Sequence, residues 1–210
     1  MIAFAYPKAQ HQRTQTPGPY ANYRQYKPAL RIEFDDRCVY CRAPAPLRGV
    51  DQFGADHYRP QHLFPELAAE YMNLYYCCNT CNRWKGPYWP TADLEATDFI
   101  PNPCEYVMFQ HIHARPDGTV ASKSHAGKIT VDLLHLNDEL TVTWRLAASH
   151  YIDKLRGEEA RLIKKLTAVA KKRRAGQMSE EDSARAIGLF NAELKKTRDF
   201  LALYCEAAQG

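Results

Sequence analysis

Apolar and polar residues follow three different rhythms along this chain. From about residue 140 the rhythm is helical: Trp144, Leu146, Ile152, Leu155, Leu162 and Leu166 mark one apolar face, with charged residues around it. That helix is predicted to end near Gly176. Ser179 opens a second helix, with Asp182 in the place that a capping box gives to Glu or Gln. Ile187, Leu189, Phe190, Leu194, Phe200 and Leu203 are its apolar positions. Two helices joined by so short a connection predict an antiparallel pair. Upstream, YVMFQHIHA alternates in part, PDG supplies a turn and TVAS returns, which predicts a β-hairpin over 106–123. GKITVDLLHL has helical spacing at Ile129, Leu133, Leu134 and Leu136, and LNDEL reads as a cap before the next helix. Residues 38–90 hold only short periodic pieces among Cys, Pro and Tyr, the pattern of a loop-rich module tied by metal. YANYRQYKPALRIEF predicts a helix and a strand on the flank, although its interleaved Tyr20, Tyr23, Tyr26 and Phe34 with Arg24, Lys27 and Arg31 also suit a nucleic-acid groove, and residues 1–19 read as a mobile arm. No internal repeat is visible.

Composition narrows the class. At 210 residues the chain suits one domain with an extension, or two small domains. Its 45% hydrophobic and 25% charged residues are those of a soluble globular protein able to bury a core. No apolar run approaches the ~20 residues of a membrane helix, and MIAFAYPK lacks the basic start of a signal peptide. These features predict a cytoplasmic protein without membrane contact. In a reducing compartment the seven cysteines point to metal rather than to disulfides. The net charge of +4 is compatible with a polyanionic partner without demanding one.

Cys38 and Cys41 form one C-x-x-C pair, and Cys78 and Cys81 form another. Two such pairs a few dozen residues apart are the sequence form of a four-cysteine zinc site, because the two-residue gap lets a tight turn aim both sulfurs at one ion. A redox pair normally comes singly and in a βαβ setting, which is absent here. Cys77 has the wrong spacing and is expected to be a buried neighbour. Cys104 and Cys205 are expected to be plain buried thiols.

Between and after the pairs stand ADHYRP, MNLYYCCNTCN and RWKG. With CVYC they resemble the HNH endonucleases of the ββα-metal (His-Me finger) fold, over residues 38–86. C-x-x-C, DH-x-x-P, N-L, C-x-x-C, N and K-G occur in that family's order and spacing, with asparagine where the family name has its last histidine. The resemblance implies that His57 is a general base and that Asp56 and Asn82 hold one catalytic Mg2+ or Mn2+. It also implies that Asn73 tethers the loop and orients His57, while zinc staples the finger outside the reaction. The chemistry suits these residue types: imidazole titrates near neutrality, and hard divalent ions prefer oxygen ligands. Arg59, Arg83 and Lys85 are candidates for sequence-blind phosphate contacts.

The fold class expected is therefore α+β: a zinc-bound ββα-metal finger (38–90) behind an N-terminal arm and flanking segment (1–37). A β-hairpin and helix extension (91–138) and a C-terminal helical region (139–210) follow. The function expected is metal-dependent cleavage of DNA, with RNA as another substrate that the motif allows. The alternative is a non-catalytic zinc module that binds nucleic acid or a protein. His62, His111, His113, His125, His135 and His150 lack a comparable frame and read as structural or surface residues, although His111 and His113 share one side of the expected hairpin. The basic run around Lys164–Arg174 suits either a solvated helix end or a phosphate-contacting patch. The layout resembles nuclease subunits of bacterial anti-phage systems such as Septu or Zorya, which implies an ATPase or sensor partner. The helical pair would serve either a homodimer or the completion of a core.

Overall fold

Glu33 decides the path of the first segment. It ends α1 (Lys27–Glu33), whose Pro28 in the first turn pre-sets helical φ, and it is buried. A buried carboxylate must be compensated. His11 Nε2 lies 2.7 Å from it, Thr14 N and Gln15 N donate at 2.8 and 2.9 Å, and the Tyr71 hydroxyl donates at 3.1 Å. Burial pushes the Glu33 pKa up, but these donors outweigh it and hold the carboxyl below its ordinary value. The arm expected to be mobile is thus pinned. Arg13 adds to this by donating to the Leu74 carbonyl at 2.8 Å while lying over the Phe34, Tyr71 and Tyr75 rings. The strand expected before Phe34 does not form. A 3-10 turn, Tyr23–Tyr26, leads straight into α1.

The structure, a computed structural model, describes residues 4–204, and the chain forms two compact units, 1–146 and 147–210. Cys205 lies outside the described residues. After α1, residues 37–44 turn back on themselves: Arg42 N donates to Cys38 O and Cys38 N to Ala43 O, both at 3.0 Å, with Arg42 at φ 59°. A short α2 (Ala45–Arg48) follows. β1 (Phe53–His57) pairs antiparallel with β2 (Leu74–Cys78), Phe53 opposite Cys78 and His57 opposite Leu74. Every residue of β2 is buried. Stacked rings on its two faces, Phe34 against Tyr75 and Phe53 against Tyr76, form the core. β2 runs directly into α3 (Asn79–Lys85), which stops at Gly86. There φ is +51°, a left-handed value that favours glycine.

The extension holds α4 (Met108–His111), β3 (Ile112–Ala114), β4 (Val120–Ser122) and α5 (His125–Leu133). The hairpin is present but shorter than expected. Phe109 N donates to Pro7 O and Gln110 N to Val107 O, so neither is free for a sheet ladder, and the segment coils into α4. His111 therefore ends a helical turn, its Nδ1 2.8 Å from Ser124 Oγ, instead of sharing a strand face with His113. Gly127 packs its backbone on the His111 carbonyl so closely that a Cβ would lie 2.0 Å from that oxygen. Cys104, expected to be buried, is half-buried; its N–H bonds the buried Asn102 side chain at 3.0 Å. α6 (Glu139–Arg174) begins in the first unit, where Arg145 donates to the Gly118 and Leu136 carbonyls. α7 (Glu180–Tyr204) is capped by Ser179, whose Oγ accepts from Asp182 N at 3.0 Å. Within 147–210 the contacts Tyr151–Tyr204, Glu159–Arg198 and Lys165–Phe190 run in opposite chain directions, so the two helices are antiparallel. The described residues thus form a mixed α and β structure with two small sheets. No described helix is long and apolar enough to cross a membrane.

Candidate metal centre and active-site cleft

The two C-x-x-C turns converge. The sulfurs of Cys38, Cys41, Cys78 and Cys81 all lie within 4.8 Å of one another, and all four residues are buried. Four sulfurs at about 2.3 Å from one ion would stand about 3.8 Å apart along each tetrahedral edge, and Cys41–Cys78 is 3.8 Å. In the second turn Cys78 is the N-cap of α3 and its sulfur accepts from Cys81 N at 3.5 Å. Without a cation the thiols are in conflict. Burial pushes Cys38 up, and bonding to Cys38 and its neighbours pushes Cys78 and Cys81 up, whereas hydrogen bonding from Cys38 holds Cys41 down. A soft divalent ion relieves this by taking all four as thiolates. The group could hold zinc. Cys77 sits beside it, 3.9 Å from Cys38, with a thiol that burial pushes up to about 12.

The first turn also reaches the neighbouring cleft. Val39 N bonds Tyr76 O at 3.0 Å, which docks the turn on β2 and carries Tyr40 beneath β1. The Tyr40 hydroxyl donates to Asp56 Oδ2 at 2.6 Å. Burial and the Asp56 charge push the Tyr40 phenol well above its ordinary range, so it stays a donor. On the other side Lys85 Nζ donates to Asp56 Oδ1 at 3.1 Å and to the His57 carbonyl at 2.7 Å. Lys85 was expected on a phosphate-facing surface; instead it is buried, its charge directed at Asp56.

His57, the last residue of β1, is half-buried. Its Nε2 lies 2.9 Å from Ala68 O, a carbonyl that can only accept, so Nε2 carries the proton and Nδ1 keeps the lone pair. The Gln61 amide nitrogen stands 3.0 Å from the same nitrogen; with Nε2 carrying the proton, the amide turned end for end presents its oxygen there instead. The Tyr23 ring meets the imidazole edge-on, with centroids 4.6 Å apart. Asn73 fixes the loop that supplies Ala68: Oδ1 accepts from Arg59 N at 2.8 Å, and Nδ2 donates to Arg59 O and Leu67 O at 3.0 and 3.2 Å.

Asp56, His57 and Asn82 line one open cleft of about 350 Å³, together with Tyr23, Gln61 and His62. Asn82 is half-buried, its position set by Cys81 one residue earlier in α3. Of the arginines, exposed Arg59 lies over the Phe64 and Trp89 rings. Exposed Arg83 lines an adjoining cleft with Asn82 and Asn79. Sequence reasoning missed Tyr40 and Gln61, named Tyr23 only within an aromatic and basic stretch able to line a nucleic-acid groove, and read His62 as structural or surface. The only signal available was proximity in sequence for Gln61 and His62, which sit four and five residues after His57.

No family model matches this chain. Over 112 residues it is 28% identical to the Septu protein PtuB of Bacillus thuringiensis, a match spanning 53% of this chain and 40% of that protein.

Proposed function

We propose that this chain is a metal-dependent endonuclease of the HNH type that hydrolyses phosphodiester bonds of DNA. The observation that carries the reading is the meeting of Asp56, His57 and Asn82 in one open cleft, with the His57 tautomer set by Ala68 O. β1, β2 and α3 supply those residues in the order of a ββα-metal finger, and the four cysteines staple its ends.

Asp56 and the Asn82 carbonyl would hold a Mg2+ or Mn2+ ion. The donor set fits. Both are oxygen ligands, and an ionised carboxylate offers about four lone-pair sites, of which Tyr40 and Lys85 use two. When bound, the ion supplies positive charge to the scissile phosphate and the departing 3′ oxygen. His57 takes the proton of the attacking water at Nδ1, while its Nε2–H stays on Ala68 O. Asn73 keeps that carbonyl in place. Tyr40 and Lys85 stop the carboxylate from rotating, and Lys85 also offsets part of its charge. Arg59 and Arg83 are placed to meet flanking phosphates without reading sequence.

Likeness to a Septu protein supports a role in anti-phage defence with a protein partner, an ATPase or sensor. Affinity capture from the native host tests this part, and recovery of no such partner counts against it. The chemistry is tested with a labelled duplex and Mg2+. Cleavage to 5′-phosphate and 3′-hydroxyl ends is expected, with activity lost in His57→Gly and partly restored by added imidazole. Binding without cutting at any divalent-ion concentration would favour the non-catalytic zinc module.

A further inference from the structure

The net charge of the chain is not shared between its two units. Residues 1–146, which hold the cleft, carry fifteen Lys and Arg against fifteen Asp and Glu. Residues 147–210 carry thirteen against nine, so the whole excess of +4 belongs to the helical unit. Within it the charge is further concentrated. Between Arg161 and Arg174 there are seven cations and no acid, and all seven are exposed.

Geometry makes this a stripe. At 3.6 residues per turn, Arg161, Lys164, Lys165, Lys171 and Lys172 fall within about 120° of one face of α6, along about 16 Å of its length. The buried positions Leu162 and Val169 fall outside that arc. Some of the seven are engaged: Arg161 pairs with Glu158, Arg173 with Glu180, and Lys165 lies over Phe190. Lys164, Lys171, Lys172 and Arg174 make no ion pair among the described residues. A merely soluble helix face intersperses both signs and gains i,i+4 pairs, as α7 does with Lys195–Asp199. This face gives those pairs up and accepts like-charge repulsion along its length.

Such repulsion is relieved by a polyanion with a regular charge spacing. Phosphates of one DNA strand recur every 3.4 Å of axial rise, so about five fall within about 16 Å, which matches the five cations of the arc. We propose that this stripe of α6 is a docking surface for the sugar-phosphate backbone of duplex DNA, binding without regard to sequence. It would supply affinity that the charge-balanced unit bearing the cleft does not.

The test reads binding alone, so it stands or falls separately from the nuclease reading. Anisotropy of a labelled 30-base-pair duplex is measured between about 50 and 200 mM salt, with zinc-loaded His57→Ala protein to prevent cutting. It is compared with the same protein carrying Lys164→Gln, Lys165→Gln, Lys171→Gln and Lys172→Gln. With about 0.9 counterions released per phosphate contact, losing four contacts should flatten the log–log salt slope by about 3.6, removing about 150-fold of the salt-induced loss over that range. Arginine in place of the four lysines should keep the slope. An unchanged slope in the glutamine variant, with helix content intact by circular dichroism, would overturn the proposal and leave the stripe to an acidic protein partner. Absence of duplex binding by the parent protein at low salt would overturn it equally.

Discussion

Replacing Lys85 by Met probes the joint between the zinc turn and the cleft. The stem volume is kept, and only the ammonium is removed. The Lys85 and Asp56 side chains are 2% and 3% exposed, so water screens neither. At 3.1 Å and an effective dielectric constant of about 20, their attraction is about 5 kcal/mol. Loss of the bond to the His57 carbonyl adds to the cost, and relief of the buried ammonium subtracts from it. The net expectation for breaking a buried pair from one side is about 3–5 kcal/mol, because Asp56 is left uncompensated. For a unit of this size that is a fall in Tm of about 6–20 °C. All three tryptophans lie within residues 1–146, so urea unfolding followed by tryptophan fluorescence reports on this unit. Adding Asp56→Asn should recover about 2–3 kcal/mol, since the double variant buries no lone charge. A loss below about 1 kcal/mol, the range of an exposed ion pair, or strictly additive effects would refute the reasoning.

Further outcomes follow from the same geometry. Cys77→Ser should retain one zinc per chain by atomic absorption, whereas Cys78→Ser should lose it together with the cooperative unfolding of the first unit; equal zinc content in both would reject the ligand assignment. Glu33 is held below its ordinary pKa of 4.5, so its contribution is fully present above the unfolded value and is lost as pH falls through the lower folded value. Urea midpoints of wild type should therefore drop on acidification below about pH 4.5, more steeply than those of Glu33→Gln; parallel curves would show that the carboxylate does not anchor the arm.

What was legible in the chain was whatever local spacing encodes. The two C-x-x-C pairs named Cys38, Cys41, Cys78 and Cys81 and set Cys77 aside, because a two-residue gap dictates turn geometry on its own. The helical rhythm after residue 140 and the Ser179 cap were equally readable. Illegible were the contacts made by residues far apart in sequence. Tyr40 meets Asp56 across 16 positions and Lys85 meets it across 29, so a lysine beside Arg83 in RWKG reads as another surface cation. The arm looked mobile because its composition is that of a loop. Its order comes from Glu33, whose burial no periodicity reveals. YVMFQHIHA alternates in part like a strand, yet Met108–His111 coils because Pro7 takes the Phe109 N–H that a ladder would use.

The central claim is that His57 Nδ1, freed by the bond from Nε2 to Ala68 O, activates water for DNA hydrolysis. The most direct measurement is nicking or linearisation of supercoiled plasmid by the zinc-loaded protein with Mg2+ or Mn2+, beside His57→Ala prepared identically. The account predicts cutting by wild type and a fall of at least about 100-fold in the variant. Cutting by His57→Ala at the wild-type rate would contradict it.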